Sequence, residues 1–591
     1  MPLASQLVHM FGCLKMVHEE NPKSGTPDAA WIARFASPLA HTHAAVALDF
    51  ALPLAGLRFA VKDNIDVAGV PTTAACPAFE RLPEVHAGAV QRLLEAGASL
   101  AGKTNLDQFA CGLNGTRSPY GEVPNAFDAR YVSGGSSSGS AYVVATGEVD
   151  FALGTDTAGS GRVPAGLNNI VGLKPSRGLL SAFGVVPAAQ SADCVSIFAR
   201  TVATAVDVLL AAAGHDARDP YSRDIDLRRE PLPARFRFGV PDRLSFFGDA
   251  AAEQAFGDAV ARLLAMGGTP VTIAYAPLAE AAGMLYESAL VAERYAAVRE
   301  FFDAHADDVV EPVRGILASG RQYDAADVFE AQARLHAIAQ KVEPMWRDID
   351  LLLVPTAPTH YTREQMRADP VALNRNLGAY TNFVNLLDYA ALSVPSSLRA
   401  DGLPFGITLI GPCGSDLALA ELGQRFHHAT GLAQGATGQP LPSPRAIPGL
   451  AAPDAGILPI AVVGAHLSGM PLNSQLTERG ATLMRATTTT PAYRLHALPG
   501  TVPPKPGLRR VAEGDEGAAI ALEVWAVPLA QVGSFLALIP PPLGLGSVEL
   551  ADGSWVKGFI CEGHALAGAQ DVTHHGGWRA YVASRATPSS N

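Results

Sequence analysis

Gly134-Gly135-Ser136-Ser137-Ser138-Gly139-Ser140 and, a little further on, Gly154-Thr155-Asp156-Thr157-Ala158-Gly159-Ser160-Gly161-Arg162 decide how this chain is read. Each stretch is a glycine-rich turn that carries serine. A serine hydroxyl attacks a carbonyl only when another group takes its proton, and two arrangements offer one. Gly135-Ser136-Ser137-Ser138-Gly139 fits the G-x-S-x-G nucleophile elbow, with Ser137 as nucleophile. That elbow needs a strong strand before it and an Asp and then a His behind it. Residues 128–133 make a weak strand, and no histidine ahead of residue 435 stands in a convincing setting.

In the second arrangement Ser160 is the nucleophile. The backbone N–H groups of Thr157, Ala158, Gly159 and Ser160 converge on the developing oxyanion. Ser136 relays the proton to Lys62, which ends the apolar run 57–61 in Val61-Lys62-Asp63-Asn64. A lysine is a base only when neutral, and delivery from a buried strand favours that form. Asp63 and Asn64 can hold the turn by local hydrogen bonds. Taken singly, these parts are ordinary. A lone strand-end lysine is usually a solvated charge, and a serine-rich run is usually a linker or a set of helix caps. A phosphate cradle is excluded because no Gly-Lys-Ser/Thr follows. Together they predict metal-free acyl transfer on an amide, through an acyl-enzyme on Ser160.

Working outward, short apolar runs (57–61, 99–102, 151–153, 236–240, 351–354, 405–410) alternate with helical patterns at 89–98, 105–111, 140–147 and 201–213. This alternation predicts an α/β domain with a mixed, mainly parallel sheet between helices. Residues 436–459 are dense in Pro and Gly and read as a linker. They separate a body at 1–435, with an N-terminal extension at 1–24, from a tail at 460–591. The tail's β-rich runs, 460–463, 519–527 and 556–561, predict a small mixed-β or barrel-like domain.

The formal net charge is −12, from 44 basic and 56 acidic side chains. With no basic block, this argues against a nucleic-acid partner or a basic membrane-surface patch. No apolar run has the length of a bilayer span, and the first residues lack a signal-peptide pattern. Six cysteines without metal-ligand spacing read as reduced, in a cytoplasmic protein. His574-His575 lacks a third ligand at useful spacing, so no metal is expected.

Val61-Lys62-Asp63-Asn64, Gly102-Lys103-Thr104-Asn105-Leu106-Asp107, the two serine turns and Val171-Gly172-Leu173-Lys174-Pro175-Ser176 occur in one order that resembles the amidase signature family. The resemblance covers roughly residues 25–430, and motifs this long in order are specific. It implies an α/β/α fold, Lys62 as base, Ser136 as a relay serine on a cis peptide, Ser160 as nucleophile, and Asp156 and Arg162 bracing the loop. It implies no cofactor.

Gly161, the run Gly166-Leu167-Asn168-Asn169-Ile170 and the tail motif from Gly464 to Asn473 are similar to the allophanate hydrolases within that family. Their tail resembles a γ-glutamyl cyclotransferase fold. That likeness implies a small anionic amide, allophanate, held by Tyr286 and Arg294. Eight residues, a little over two helical turns, would bring this pair to one side. It implies release of ammonia, with N-carboxycarbamate left for the tail to decarboxylate to carbon dioxide. His466 and Glu562 are the candidates there. It also implies a homodimer and a supply of substrate by a urea carboxylase or a biuret hydrolase. Other readings stay open. Arg294 would be an ordinary surface ion pair, and His466 a satisfied structural side chain. The whole would then be a broad carboxamide amidase or one component of an amidotransferase, with a non-catalytic assembly tail.

Overall fold

The computed structural model describes residues 27–40, 52–228, 230–450, 457–512 and 514–586. The expected extension at 1–24 lies outside the described residues. The chain divides into two compact units, Met1–Ala451 and Ala452–Asn591.

Among the described residues, the first unit is built on eleven strands: β1 (Trp31–Leu39), β2 (Arg58–Lys62), β3 (Ser99–Thr104), β4 (Phe151–Asp156), β5 (Val171–Lys174), β6 (Cys194–Ala199), β7 (Phe236–Pro241), β8 (Gly268–Ile273), β9 (Leu351–Pro355), β10 (Tyr389–Leu398) and β11 (Pro404–Pro412). They form one sheet in the order β1-β3-β2-β4-β6-β5-β10-β11-β9-β7-β8.

Alternate side chains of each strand enter opposite layers, as a period of two requires. Phe59, Val61, Leu351 and Leu353 join a core with helices Gly88–Glu95, Val202–Ala212, Ala250–Ala265 and Asp416–Thr430. Ala60 and Ala152 face helix Ser138–Ala145 through Val143 and Val144, and Leu352 and Val354 face helices Ala276–Glu287 and Ala325–Val342. Both faces are therefore covered, which is why strands such as β4 and β9 read as unbroken apolar runs.

The sheet is mixed, but the expectation that it is mainly parallel is corrected. Parallel pairing is confined to β2–β3, β2–β4, β7–β8 and β7–β9. The middle, from β4 through β6, β5, β10 and β11 to β9, is antiparallel throughout, as is β1–β3. Parallel neighbours need a crossover, and only the flanks supply helical ones. β10 and β11 are joined by residues 399–403 alone and close as a hairpin.

The helix expected at 105–111 is also corrected. Only a 3-10 turn, Gln108–Ala110, forms there, with Phe109 at φ 51°. The buried Asp107 carboxylate takes the amides of Asn114, Gly115 and Arg117 instead, so the segment folds around a side chain.

Residues 436–450, part of the expected linker, lie within the first unit. Ile447 is buried in the large core, and Gln424 Nε2 donates to Arg445 O at 2.6 Å.

The second unit holds a five-stranded sheet, made of β12 (Ile457–Val462), β13 (Thr482–Thr488), β16 (Ala521–Pro528), β17 (Leu543–Glu549) and β18 (Trp555–Cys561), ordered β13-β16-β12-β18-β17. A smaller sheet joins β14 (Tyr493–Ala497) to β15 (Pro506–Arg510) and β19 (Gln570–Asp571). Ile460, Val462, Leu522, Val524 and Trp578 form its core.

Candidate active site

Strand β2 lies between β3 and β4 and ends at Lys62, whose side chain is fully buried. Its Nζ lies 2.7 Å from Ser136 Oγ and 2.7 Å from Thr155 Oγ1. Burial pushes the Lys62 amine down to about 7, against the pull of Asp107, Asp193 and Asp156. A second buried lysine of these motifs, Lys103, differs. Its Nζ sits 3.0 Å from Asp63 Oδ1 and also bonds Thr72 Oγ1 and Pro71 O, so it is tied into an ion pair. Lys62 meets two hydroxyls and, among the described residues, no carboxylate within ion-pair distance. Its site therefore favours a neutral amine able to accept a proton.

Ser136 precedes helix Ser138–Ala145, and the Gly135–Ser136 peptide is cis. The double glycine has a packing reason, since a Cβ on Gly135 would lie 2.2 Å from Asp107 Oδ2. Asp107 also donates its amide to Ser136 O at 3.0 Å. Ser137, the nucleophile of the elbow arrangement, is spent structurally. Its hydroxyl donates to Thr155 O and accepts from Thr155 N.

Ser160 lies on the loop between β4 and helix Val163–Leu167. Its Oγ donates to Gly112 O at 3.4 Å, and no hydrogen bond joins Ser160 to Ser136 among the described residues. The structure thus brings Lys62 and Ser136 into contact but leaves the Ser160 hydroxyl turned to a backbone carbonyl.

The loop is held by Asp156, which accepts Gly159 N at 2.8 Å and Gly161 N at 3.0 Å. Of the four amides expected to face an oxyanion, that of Gly159 is therefore already committed. Those of Thr157, Ala158 and Ser160 have no acceptor among the described residues. Gly159 instead bends the loop at φ 128°, where a Cβ would lie 2.3 Å from Thr381 Oγ1. Arg162 pairs with Asp156 through Nε and Nη2, both at 2.9 Å, and the pair is fully buried. Burial works against the Asp156 carboxylate, but Arg162, then Lys174 and the Gly161 amide, hold it below its usual range.

Tyr286 lies in the last turn of helix Ala276–Glu287, and Arg294 lies in helix Ala292–Ala297. The expected continuous helix is interrupted by extended backbone at Ser288 and a 3-10 turn, Ala289–Val291. The pair nevertheless meets. Arg294 Nη2 donates to Tyr286 Oη at 3.3 Å, and the guanidinium carbon lies 4.9 Å from the ring centre. Arg294 is 3 % exposed, yet its Nε and Nη1 have no hydrogen-bond partner. A buried guanidinium with idle donors can receive an anion. Burial pushes the Tyr286 phenol up.

Three residues escaped the sequence reading. Thr155 would follow from the β2–β4 pairing, which sets Val61 against Leu153. Asp107 gathers the amides of a nearby loop and Asp193 that of Ala188 together with the Thr157 hydroxyl, partners that no sequence motif marks. Asp193 accepts the Thr157 hydroxyl and the Ala188 amide, and burial raises its carboxyl to about 6.

In the second unit, His466 stacks on Phe559 at 5.0 Å and its Nε2 lies 2.9 Å from Gln475 Oε1. It lines an otherwise mostly apolar pocket with Lys505, Val463, Leu538 and Leu543, and burial pushes its imidazole down. Glu562 is not brought to this pocket. Its side chain is 65 % exposed and pairs with His564. Among the described residues, no group of three or more His, Cys, Asp and Glu could hold a metal ion, and no helix is long and apolar enough to cross a membrane.

The first unit's mixed α/β sheet, which carries these serine and lysine residues, has counterparts among known enzymes. Residues 28–419 match the Amidase family model, and the chain belongs to the amidase family. Residues 458–583 match the allophanate hydrolase C-terminal domain. The structure is similar to Kluyveromyces lactis allophanate hydrolase, with 42% sequence identity, a TM-score of 0.74 and 95% of each chain covered. By sequence the chain is 45% identical to the urea amidolyase of Lachancea kluyveri over 585 residues, 95% of this chain and 32% of that protein. It is 46% identical to the urea amidolyase of Saccharomyces cerevisiae over 543 residues, 90% of this chain and 30% of that protein. The chain thus spans about a third of the length of the urea amidolyases it matches.

Proposed function

We propose that this protein is an allophanate hydrolase. Neutral Lys62 takes a proton from Ser136, which takes one from Ser160. The Ser160 oxygen attacks the terminal amide carbonyl, and the amides of Thr157, Ala158 and Ser160 receive the oxyanion. Ammonia leaves with the relayed proton, and water activated by the same relay frees the acyl group as N-carboxycarbamate. Arg294, braced by Tyr286, grips the substrate carboxylate with Nε and Nη1.

The observation that carries this reading is the idle, buried guanidinium of Arg294, in a chain whose Lys62 meets hydroxyls and lacks a carboxylate partner. The match of the tail to the allophanate hydrolase C-terminal domain favours this substrate over a neutral amide. The second unit promotes decarboxylation of the dianion, with the His466 pocket as its site; Glu562 stands outside that pocket. A functional link to a urea carboxylase or biuret hydrolase, a homodimer and a cytoplasmic setting belong to the same proposal. The test is product analysis with allophanate. Ammonia and carbon dioxide are expected. Efficient cleavage of another amide with no ammonia from allophanate would overturn the substrate.

A further inference from the structure

Residues 186–193, between β5 and β6, hydrogen-bond the turn after Lys62, the loop that carries Ser160 and the residue before Arg294. Val186 donates its amide to Asn64 O and accepts Asn64 Nδ2 at 3.0 Å, two residues after Lys62. Asp193 takes the hydroxyl of Thr157 on the oxyanion loop and the Ala188 amide. Ala192 O accepts Asn385 Nδ2, which also bonds Asp156 O at 2.6 Å. Ser191 donates both its amide and its hydroxyl to the two oxygens of Glu293, each at 2.7 Å. Glu293 is the residue before Arg294.

We infer that residues 186–193 act as a strap that sets the distance between the Arg294 guanidinium and the oxyanion loop. Asp193 and Glu293 are its positioning residues, and they serve specificity for a short anionic amide. The inference rests on the proposed function, since it takes Arg294 as the carboxylate anchor. The physical argument is one of length. A carboxylate and a scissile carbonyl in one small molecule can be served together only if their two receivers are held at a fixed span, and misplacement of about 1 Å is costly in rate. Arg294 sits in a two-turn helix beyond a break at Ser288, so its own element does not fix that span. The paired Ser191–Glu293 bonds do, from outside the helix. Glu293 is partly exposed, so its substitution tests position rather than core packing.

Four variants separate this from a general structural role. Glu293→Ala is expected to raise KM for allophanate about tenfold, with kcat within threefold of the parent. Glu293→Gln keeps an acceptor for the Ser191 amide and can donate its N–H to the Ser191 hydroxyl in a reversed bond, and should restore KM. In an Arg294→Ala background, Glu293→Ala should add nothing, because it acts through the missing guanidinium. Asp193→Ala, at the strap's other end, should lower kcat more than it raises KM. Hydrogen exchange is read in parallel and needs no substrate. Glu293→Ala should accelerate exchange of the Gly159, Gly161 and Arg162 amides.

An unchanged KM in Glu293→Ala, failure of Glu293→Gln to restore it, or unaltered exchange in the loop would each overturn the strap. A parent enzyme that leaves allophanate untouched would instead overturn the proposed function, and the exchange measurement would still decide on the strap.

Discussion

At the scale of the residue, the proposed chemistry depends on the protonation of Lys62. Its amine is displaced by burial from an ordinary 10.5 to about 7, and it serves as a base only when deprotonated. Activity as kcat/KM should therefore climb with pH through about 7 and then level. Stability follows the same displacement. Between about 7 and 10.5 the unfolded chain binds a proton at this lysine that the folded one does not, so folding stability gains from Lys62 as pH rises across that window. Denaturant titrations of the parent and Lys62→Met at pH 7 and pH 10 should show this gain in the parent only; parallel pH trends would contradict it. Arg294 gives a second expectation at this scale. Arg294→Lys keeps the charge but loses the planar fork, so KM for allophanate should rise about 10- to 100-fold, as expected for lost charge-assisted bonds. A lysine variant with the parent's KM would mean that the carboxylate is held elsewhere.

At the scale of the element, the β4–loop–helix unit carries Ser160, the proposed nucleophile, and the buried Asp156–Arg162 pair braces it. Arg162→Met leaves a fully buried carboxylate without its partner, which should cost about 3–5 kcal/mol in denaturant unfolding. A loss under about 1 kcal/mol would show that Asp156 draws its support from the backbone amides alone. The same element shows what the sequence could reveal. Strands whose two faces are both buried, such as β4 and β9, stood out as apolar runs, and Thr201 capped its helix where the pattern began. Lys62, Ser136 and Ser160, the residues proposed for the chemistry, stood out in the sequence because each sits at the end of a strand or in a glycine turn whose shape is local. The sheet's antiparallel middle was not legible, because pairing direction depends on which strands become neighbours. Nor was the fold of residues 105–117 around Asp107, where one side chain outcompetes a helical pattern. Asp193 was invisible for a related reason, since its value lies in partners at Thr157 and Ala188 rather than in a motif.

At the scale of the whole molecule, two units with separate cores let the two proposed steps be tested apart. Residues 1–451 alone should release ammonia from allophanate at a rate near the parent's, while N-carboxycarbamate persists long enough to be trapped. His466→Ala in the full chain should reproduce that persistence, since the pocket it lines holds few other polar groups. If the isolated first unit yields carbon dioxide as fast as the parent, the second unit has no part in the decarboxylation.

The most direct test is peptide mass mapping after rapid acid quench of the enzyme turning over allophanate. The account predicts an acyl group, added with loss of ammonia, on the peptide containing Ser160. An adduct on another side chain, Ser136 or Cys111 included, would contradict it.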